Sequence, residues 1–155
     1  MTVFSTSINL SASREQAWRI LAEMEKWPEW TESMSSVRAV GTGPIGLGSK
    51  FAVKQPQLPL AEMTVIEWQP GHSFTWRSEG QFVWAVAEHV LTPAGHGCTL
   101  TLSLKFGGLL APMVTLLSGK LVRRYVRMEA EGLQAECLRQ LDTAAGCGVK
   151  ASSAL

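Results

Sequence analysis

The stretch Cys98-Thr99-Leu100-Thr101-Leu102-Ser103-Leu104-Lys105-Phe106, followed after Gly107-Gly108 by Leu109-Leu110-Ala111-Pro112-Met113, decides the architecture. In its first half Thr99, Thr101, Ser103 and Lys105 alternate with Leu100, Leu102, Leu104 and Phe106. A period of two sends the sets to opposite faces of a strand, one wet and one buried, as in antiparallel sheets. From Leu109 to about Ala144 the period lengthens to that of a helix. Leu117, Leu121, Tyr125, Met128, Gly132 and Ala135 fall on one side, with Leu133, Cys137 and Leu141 on a neighbouring stripe. At ~1.5 Å per residue such a helix reaches ~45 Å unbroken, enough to cross a whole sheet.

Upstream of this junction the chain is strand after strand. Working backwards, Gln81 to Leu91 reads as a long strand closed by Thr92-Pro93-Ala94-Gly95-His96-Gly97. Before it come Ser73 to Ser78, the turn Gln69-Pro70-Gly71-His72, and strands at Ala61 to Trp68, Ser49 to Gln55 and Ser36 to Val40. Val3 to Leu10 is the first strand. After it Ser13 starts a helix, Gln16 completes a capping box, and Ala17, Ile20, Leu21 and Met24 make an apolar stripe. Trp27-Pro28-Glu29-Trp30 breaks that helix, and a short second one carries Trp30 towards Met34. Strands in series pair as a meander, and the helices must cover its single apolar face. The expected fold is therefore α+β: a curved seven-stranded antiparallel sheet wrapped around a long C-terminal helix, with two short helices after strand 1 and a space between. Residues 1–145 form one domain; 146–155, small and uncharged apart from Lys150, form a flexible tail.

Composition narrows the function classes. Of 155 residues 46% are apolar and 17% charged, and six Trp, six Met and five Phe stand against one Tyr. Such a surplus of bulky apolar side chains serves a large core, a ligand cavity or a sticky interface. Net charge is +1, and the basic cluster Arg123, Arg124 and Arg127 is followed by Glu129, Glu131 and Glu136. That reads as a solvated helix face rather than a nucleic-acid footprint. Met1 to Leu10 lacks the basic residues and apolar run of a signal peptide, and Phe106 to Ser118 falls short of the ~20 residues of a membrane span. Cys98, Cys137 and Cys147 are odd in number and irregularly spaced, which argues against a disulfide framework or a zinc site; reduced thiols in a cytoplasmic protein are the plain reading. With a single Asp (Asp142), an Mg²⁺ site or an Asp-oriented triad lacks raw material.

One segment invites a different reading. Gly41-Thr42-Gly43-Pro44-Ile45-Gly46 matches GxGxxG. The dinucleotide fingerprint, however, sits between a strand and a helix whose amides hold the pyrophosphate. Here the glycines lead into the alternating Ser49-Lys50-Phe51-Ala52-Val53-Lys54, and Pro44 removes a donor. The segment reads as a hairpin loop, and no cofactor is expected.

Several local patterns occur in a fixed order: Ala12-Ser13 with Ala17-Trp18; Trp27-Pro28-Glu29-Trp30; Gly46-Leu47-Gly48-Ser49-Lys50-Phe51; Pro70-Gly71-His72-Ser73-Phe74-Thr75-Trp76; His89 with Leu91 and Pro93 before Gly97; and Glu131-Gly132-Leu133. In that order and spacing the chain resembles the START-like or SRPBCC superfamily of helix-grip proteins, in its polyketide cyclase/dehydrase-like branch. The resemblance spans about Val3 to Leu141. It implies a roomy cavity between sheet and helix. Ligand carriers, sensors, cyclases and hydrolase regulators share that grip, so function has to be read from the cavity residues.

Alternation assigns the inner positions. Phe51, Val53 and Gln55 oppose Lys50 and Lys54; Met63 and Val65 oppose Glu62 and Thr64; Phe74 and Trp76 oppose Thr75 and Arg77. Between Phe82 and Leu91 both parities are apolar, and Glu88 argues that Val83, Ala85, Ala87, His89 and Leu91 face in. The candidate ligand-binding set is Trp30, Met34, Phe51, Val53, Met63, Phe74, Trp76, Ala87, His89, Leu102, Leu104, Met113, Leu117, Leu121, Tyr125 and Met128. His89 is either a core histidine bonded to a neighbour or a ligand contact or base. Tyr125 either packs or offers a hydroxyl. Arg124 and Arg127 either receive a carboxylate at the rim or belong to the solvated face. No residue is assigned a catalytic role, and no metal is expected. The leading function is binding or carriage of a small hydrophobic molecule (lipid, aromatic or polyketide-like) by a monomer or homodimer. A polyketide cyclase/dehydrase-like enzyme using His89 or Tyr125 comes second, and a protein-interaction module is the outsider.

Overall fold

The computed structural model describes residues 2–152, with side chains through residue 145. Its strands are β1 (Thr2–Leu10), β2 (Ser36–Val40), β3 (Lys50–Lys54), β4 (Ala61–Gln69), β5 (Ser73–Glu79), β6 (Trp84–Ala94) and β7 (Gly97–Gly107). They make a single seven-stranded sheet in the order β1-β7-β6-β5-β4-β3-β2, every pair antiparallel. From β2 to β7 the chain is a plain meander. β1 is the exception, returning across the sheet to lie beside β7 with Thr2 opposite Phe106 and Leu10 opposite Cys98. The β4–β5 register shifts between Val65 and Glu67, and such an irregularity bends a strand and tightens the local twist.

α1 (Arg14–Ala22) begins as the sequence requires. Gln16 N–H donates to Ser13 Oγ at 3.2 Å, and Ser13 N–H donates to Gln16 Oε1 at 2.9 Å. Ala17, Ile20 and Leu21 are its buried face. The next segment differs from expectation. The second short helix is a 3-10 helix, Met24–Glu29, lying upstream of the Trp30 to Met34 stretch where the sequence suggests it. α1 ends at Ala22, before the Trp-Pro pair, because Glu23 leaves helical geometry at φ −84°, ψ 64°. Trp27 then anchors the tight turn: its side chain is fully buried and donates Nε1–H to the Leu21 carbonyl at 2.9 Å. Pro28 is tolerated in so short a helix because few amides there need partners.

Residues Gly41 to Gly48 join β2 to β3, with a strand rather than a helix at their end. β6 starts at Trp84 instead of Gln81 and runs on to Ala94; Gly80 N–H donates to the Val83 carbonyl at 2.8 Å and closes the turn before it. The long helix, α2 (Ala111–Ser152), starts two residues later than Leu109, after Gly108 at φ +104°. Its backbone continues past Ala144. The tail expected at 146–155 falls on residues whose side chains lie outside the described ones.

α2 lies on the concave face with α1 and the 3-10 helix at one end. Trp27, Phe51, Phe74, Leu21, Leu91, Leu100 and Leu133 form the driest part of the core, gathered under α1. Towards the start of α2 the filling gives out. No helix among the described residues is long and apolar enough to cross a membrane.

Candidate functional site

Where sheet and helix diverge they enclose a cavity of about 340 Å³. Its outer end lies where β3, β5 and β7 finish, ringed by Leu58 and Pro59 before β4, Val83 before β6, and Val114 of α2. Val114 and Glu129 both border it, a separation of ~22 Å by helical rise. The chamber is thus elongated along the helix. Ala85, Ala87, Leu104 and Val122 make its middle, and small side chains there leave the room. The inner parity of β6 holds at its floor: His89 is 3% exposed and Leu91 0%. Trp84 and Glu88, of the other parity, touch its edge, and Glu88 pairs with Lys105 at 3.2 Å.

The floor is polar in an otherwise apolar chamber. His89 Nε2 and Glu129 Oε1 are 2.7 Å apart in a buried hydrogen bond. Phe74 stacks on the imidazole, with centroids 4.2 Å apart and planes 10° off parallel, and Trp27 and Trp76 close its other sides at 5.3 and 5.9 Å. His89 Nδ1 is sealed in this aromatic cage without a partner. Gln55, Ser78, Ser103, Ser118 and Tyr125 are the other polar side chains along the walls. Tyr125 is already committed, donating its hydroxyl to the Pro56 carbonyl at 2.5 Å. That bond ties α2 to the loop between β3 and β4. Among the described residues no three His, Cys, Asp or Glu side chains are placed to hold a metal ion.

Of the residues that the sequence nominates, Met34, Val53, Met63, Trp76, Ala87, His89, Leu102, Leu104 and Tyr125 border the cavity. The others do not. Phe51 and Phe74 are fully buried one layer behind it, Phe51 against Trp76 at 5.9 Å and Phe74 against His89. Trp30 packs on Trp27 at 5.6 Å, away from the space. Met113 and Leu117 are 50% and 75% exposed, and Leu121 and Met128 are half-buried off the lining. The helix presents a different stripe: Val114, Ser118, Val122, Tyr125, Val126 and Glu129. The cause is steric, since a chamber with room inside is faced by small side chains, and the bulky Leu and Met of the first turns go elsewhere. Leu60, Phe82, Leu109, Leu110 and Leu116 are exposed as well. Arg124 and Arg127 are exposed and outside the lining.

Glu129 is the residue that sequence reading misses. Grouped with Glu131 and Glu136 it reads as part of a solvated face, yet it is 8% exposed while Glu131 is exposed. The signal is positional: Tyr125, Glu129, Leu133 and Cys137 recur every four residues, and all four are buried.

A family model described as polyketide cyclase / dehydrase and lipid transport matches residues 1–144. The chain belongs to this family. Uncharacterised proteins of Mycobacterium tuberculosis and Mycobacterium bovis are 25% identical to this family member over 134 residues, covering 81% of the chain and 80% of each relative. Among solved structures, a hypothetical protein from Helicobacter pylori superposes with a TM-score of 0.76 at 11% identity, covering 88% of both chains. A Streptomyces aromatase/cyclase gives 0.75 at 12% identity, covering 90% of this chain and 95% of that one. These likenesses show the helix-grip fold. A polyketide cyclase/dehydrase-family chain with an apolar chamber fits the binding of a hydrophobic ligand.

Proposed function

We propose that this protein binds or carries a small hydrophobic molecule in the chamber between its sheet and α2. The observation that supports this reading is the cavity itself: about 340 Å³ left unfilled, lined mainly by apolar side chains, and within the size range of small-ligand sites. Leaving such a volume empty costs stability, because wall atoms lose packing partners that a bound apolar molecule restores. The protein acts as a monomer or homodimer and needs no nucleic acid partner. Native mass spectrometry of freshly purified protein tests the reading. A reproducible added mass, lost after denaturation and extraction with organic solvent, is expected. A chain that carries nothing and binds no apolar fluorophore contradicts it.

A second reading, a cyclase- or dehydrase-like enzyme, draws on the imidazole–carboxylate pair at the floor and on the family description. His89 is a better acid/base candidate than Tyr125, because the Tyr125 hydroxyl already donates to Pro56. Turnover of an aromatic polyketide precursor that disappears in His89→Gln would favour it over simple carriage.

A further inference from the structure

A carboxylate is a strange floor for an apolar chamber, and its hydrogen-bonding state says what must meet it. Two arrangements satisfy the 2.7 Å contact between His89 Nε2 and Glu129 Oε1. If the carboxyl donated its proton, the imidazole hydrogen would sit on Nδ1, which is buried with no partner. If Nε2–H donates, Nδ1 is a bare lone pair and no donor is stranded. Orphaned buried N–H groups are the rarer and costlier defect, so Nε2–H donates. As a carboxylate, Glu129 accepts through both oxygens.

One of those oxygens is occupied. The other has no hydrogen-bond partner among the described residues, and unlike His89 Nδ1 it is not sealed off: Glu129 borders the cavity, with its side chain 11% exposed. No donor among the described residues reaches it, although Gln55 and Ser78 also line the walls. The Tyr125 hydroxyl, one turn up the helix, already donates to Pro56. Ser118 lies ~16 Å further out by helical rise. An acceptor facing an apolar space is costly to leave unmet.

We infer that the ligand enters with a hydrogen-bond donor leading, a hydroxyl of the phenol, enol or alcohol kind, and that Glu129 accepts this group at the floor while the apolar body fills the chamber behind it. His89 is the positioning residue: caged by Phe74, Trp27 and Trp76, it fixes the carboxylate through Nε2–H. The same geometry turns away a molecule led by a carboxylate, since two acceptors would then face each other. This inference rests on the cavity being the ligand site and names the chemistry that the site selects.

The test compares two probes of nearly one shape, naphthol and methylnaphthalene substituted at the same ring position, by calorimetric titration of the whole protein. Wild type should prefer naphthol by tenfold or more, because a site built around a hydroxyl discriminates strongly against its absence. The double variant His89→Phe with Glu129→Leu should bind methylnaphthalene at least as well and lose the preference. Equal binding of both probes by wild type overturns the inference while leaving the cavity reading intact. A preference that persists in the double variant overturns it too. Failure of both probes to bind wild type defeats the cavity reading and this inference with it. Should the double variant not fold, the wild-type ratio decides alone.

Discussion

Glu129 and His89 are a pair in which each residue is an encumbrance without the other. Truncating one strands a polar group in a low-dielectric floor, and that desolvation penalty is about 1–3 kcal/mol, more for a charged group. Exchanging both for apolar residues of similar shape removes the problem along with the bond. We therefore expect His89→Phe and Glu129→Leu each to lower the urea midpoint markedly, and the double variant to recover most of the loss. Additive losses would contradict the pairing. The residue scale is also where the sequence is hardest to read. A glutamate in a run of charges is indistinguishable from its neighbours until the four-residue spacing of the buried stripe is imposed on it. Cys137 offers a second check at this scale. Burial holds its thiol pKa up at about 12, since the thiolate is poorly solvated there. The unfolded chain ionises this thiol at its ordinary value, ~8.5. The contribution is thus fully present below about pH 8.5 and is lost as pH rises towards 12. Between pH 8 and pH 10.5 the urea midpoint of wild type should fall more than that of Cys137→Ala. Parallel curves would show that the burial penalty is not felt.

Among the elements, α2 is defined as much by where it lacks side chains as by where it has them. Gly132 lies so close to the turn after the 3-10 helix that an added Cβ would sit 2.4 Å from the Trp30 carbonyl oxygen and 3.1 Å from Thr31 Cβ. Alanine is the better helix former by ~1 kcal/mol, so propensity alone predicts that Gly132→Ala stabilises. A backbone oxygen cannot rotate aside as a flexible side chain can, and overpacking of this kind costs ~1–3 kcal/mol. The clash should win: a net loss, seen as a lower thermal midpoint, with the helix content by circular dichroism unchanged. A raised midpoint would mean that the two segments separate easily. The strands and the capping box of α1 are legible in the sequence because they depend on local patterns. Two features are not. The face of α2 turned inward is the one with Val114, Ser118 and Val122, and the more hydrophobic face, with Met113, Leu116 and Leu117, points out. Hydrophobic weight identifies the face that meets a packed core, and it misleads where the helix meets a chamber. The 3-10 helix escapes sequence reading for a related reason: Trp27 and Pro28 look like a break, and only the buried tryptophan anchor makes them part of a turn.

For the whole molecule, the fold comes through from sequence because long strands repeat their alternation many times and errors at single positions average out. The chamber does not come through in the same way, since its volume is a difference between how much space the scaffold encloses and how much the side chains fill. Ala87 probes that difference directly. It lies between Trp76 and Leu104 in the sheet and borders the middle of the space. Ala87→Phe should occupy the ligand's volume, weakening apolar probe binding by tenfold or more while leaving stability unchanged or raised. A large destabilisation would show instead that the site is too tight for a benzyl group. The sheet order carries a further consequence, for synthesis. β1 emerges first from the ribosome, and its strand partner β7 begins only at Gly97. At ~5–20 residues per second the first strand waits ~4–20 s with its backbone groups unpaired. Translation must pass the end of β7 before the sheet can close, so until then β2–β6 form an open meander with β1 unpaired. A holdase that masks Thr2–Leu10 during that interval would raise the yield of folded protein without touching the finished molecule.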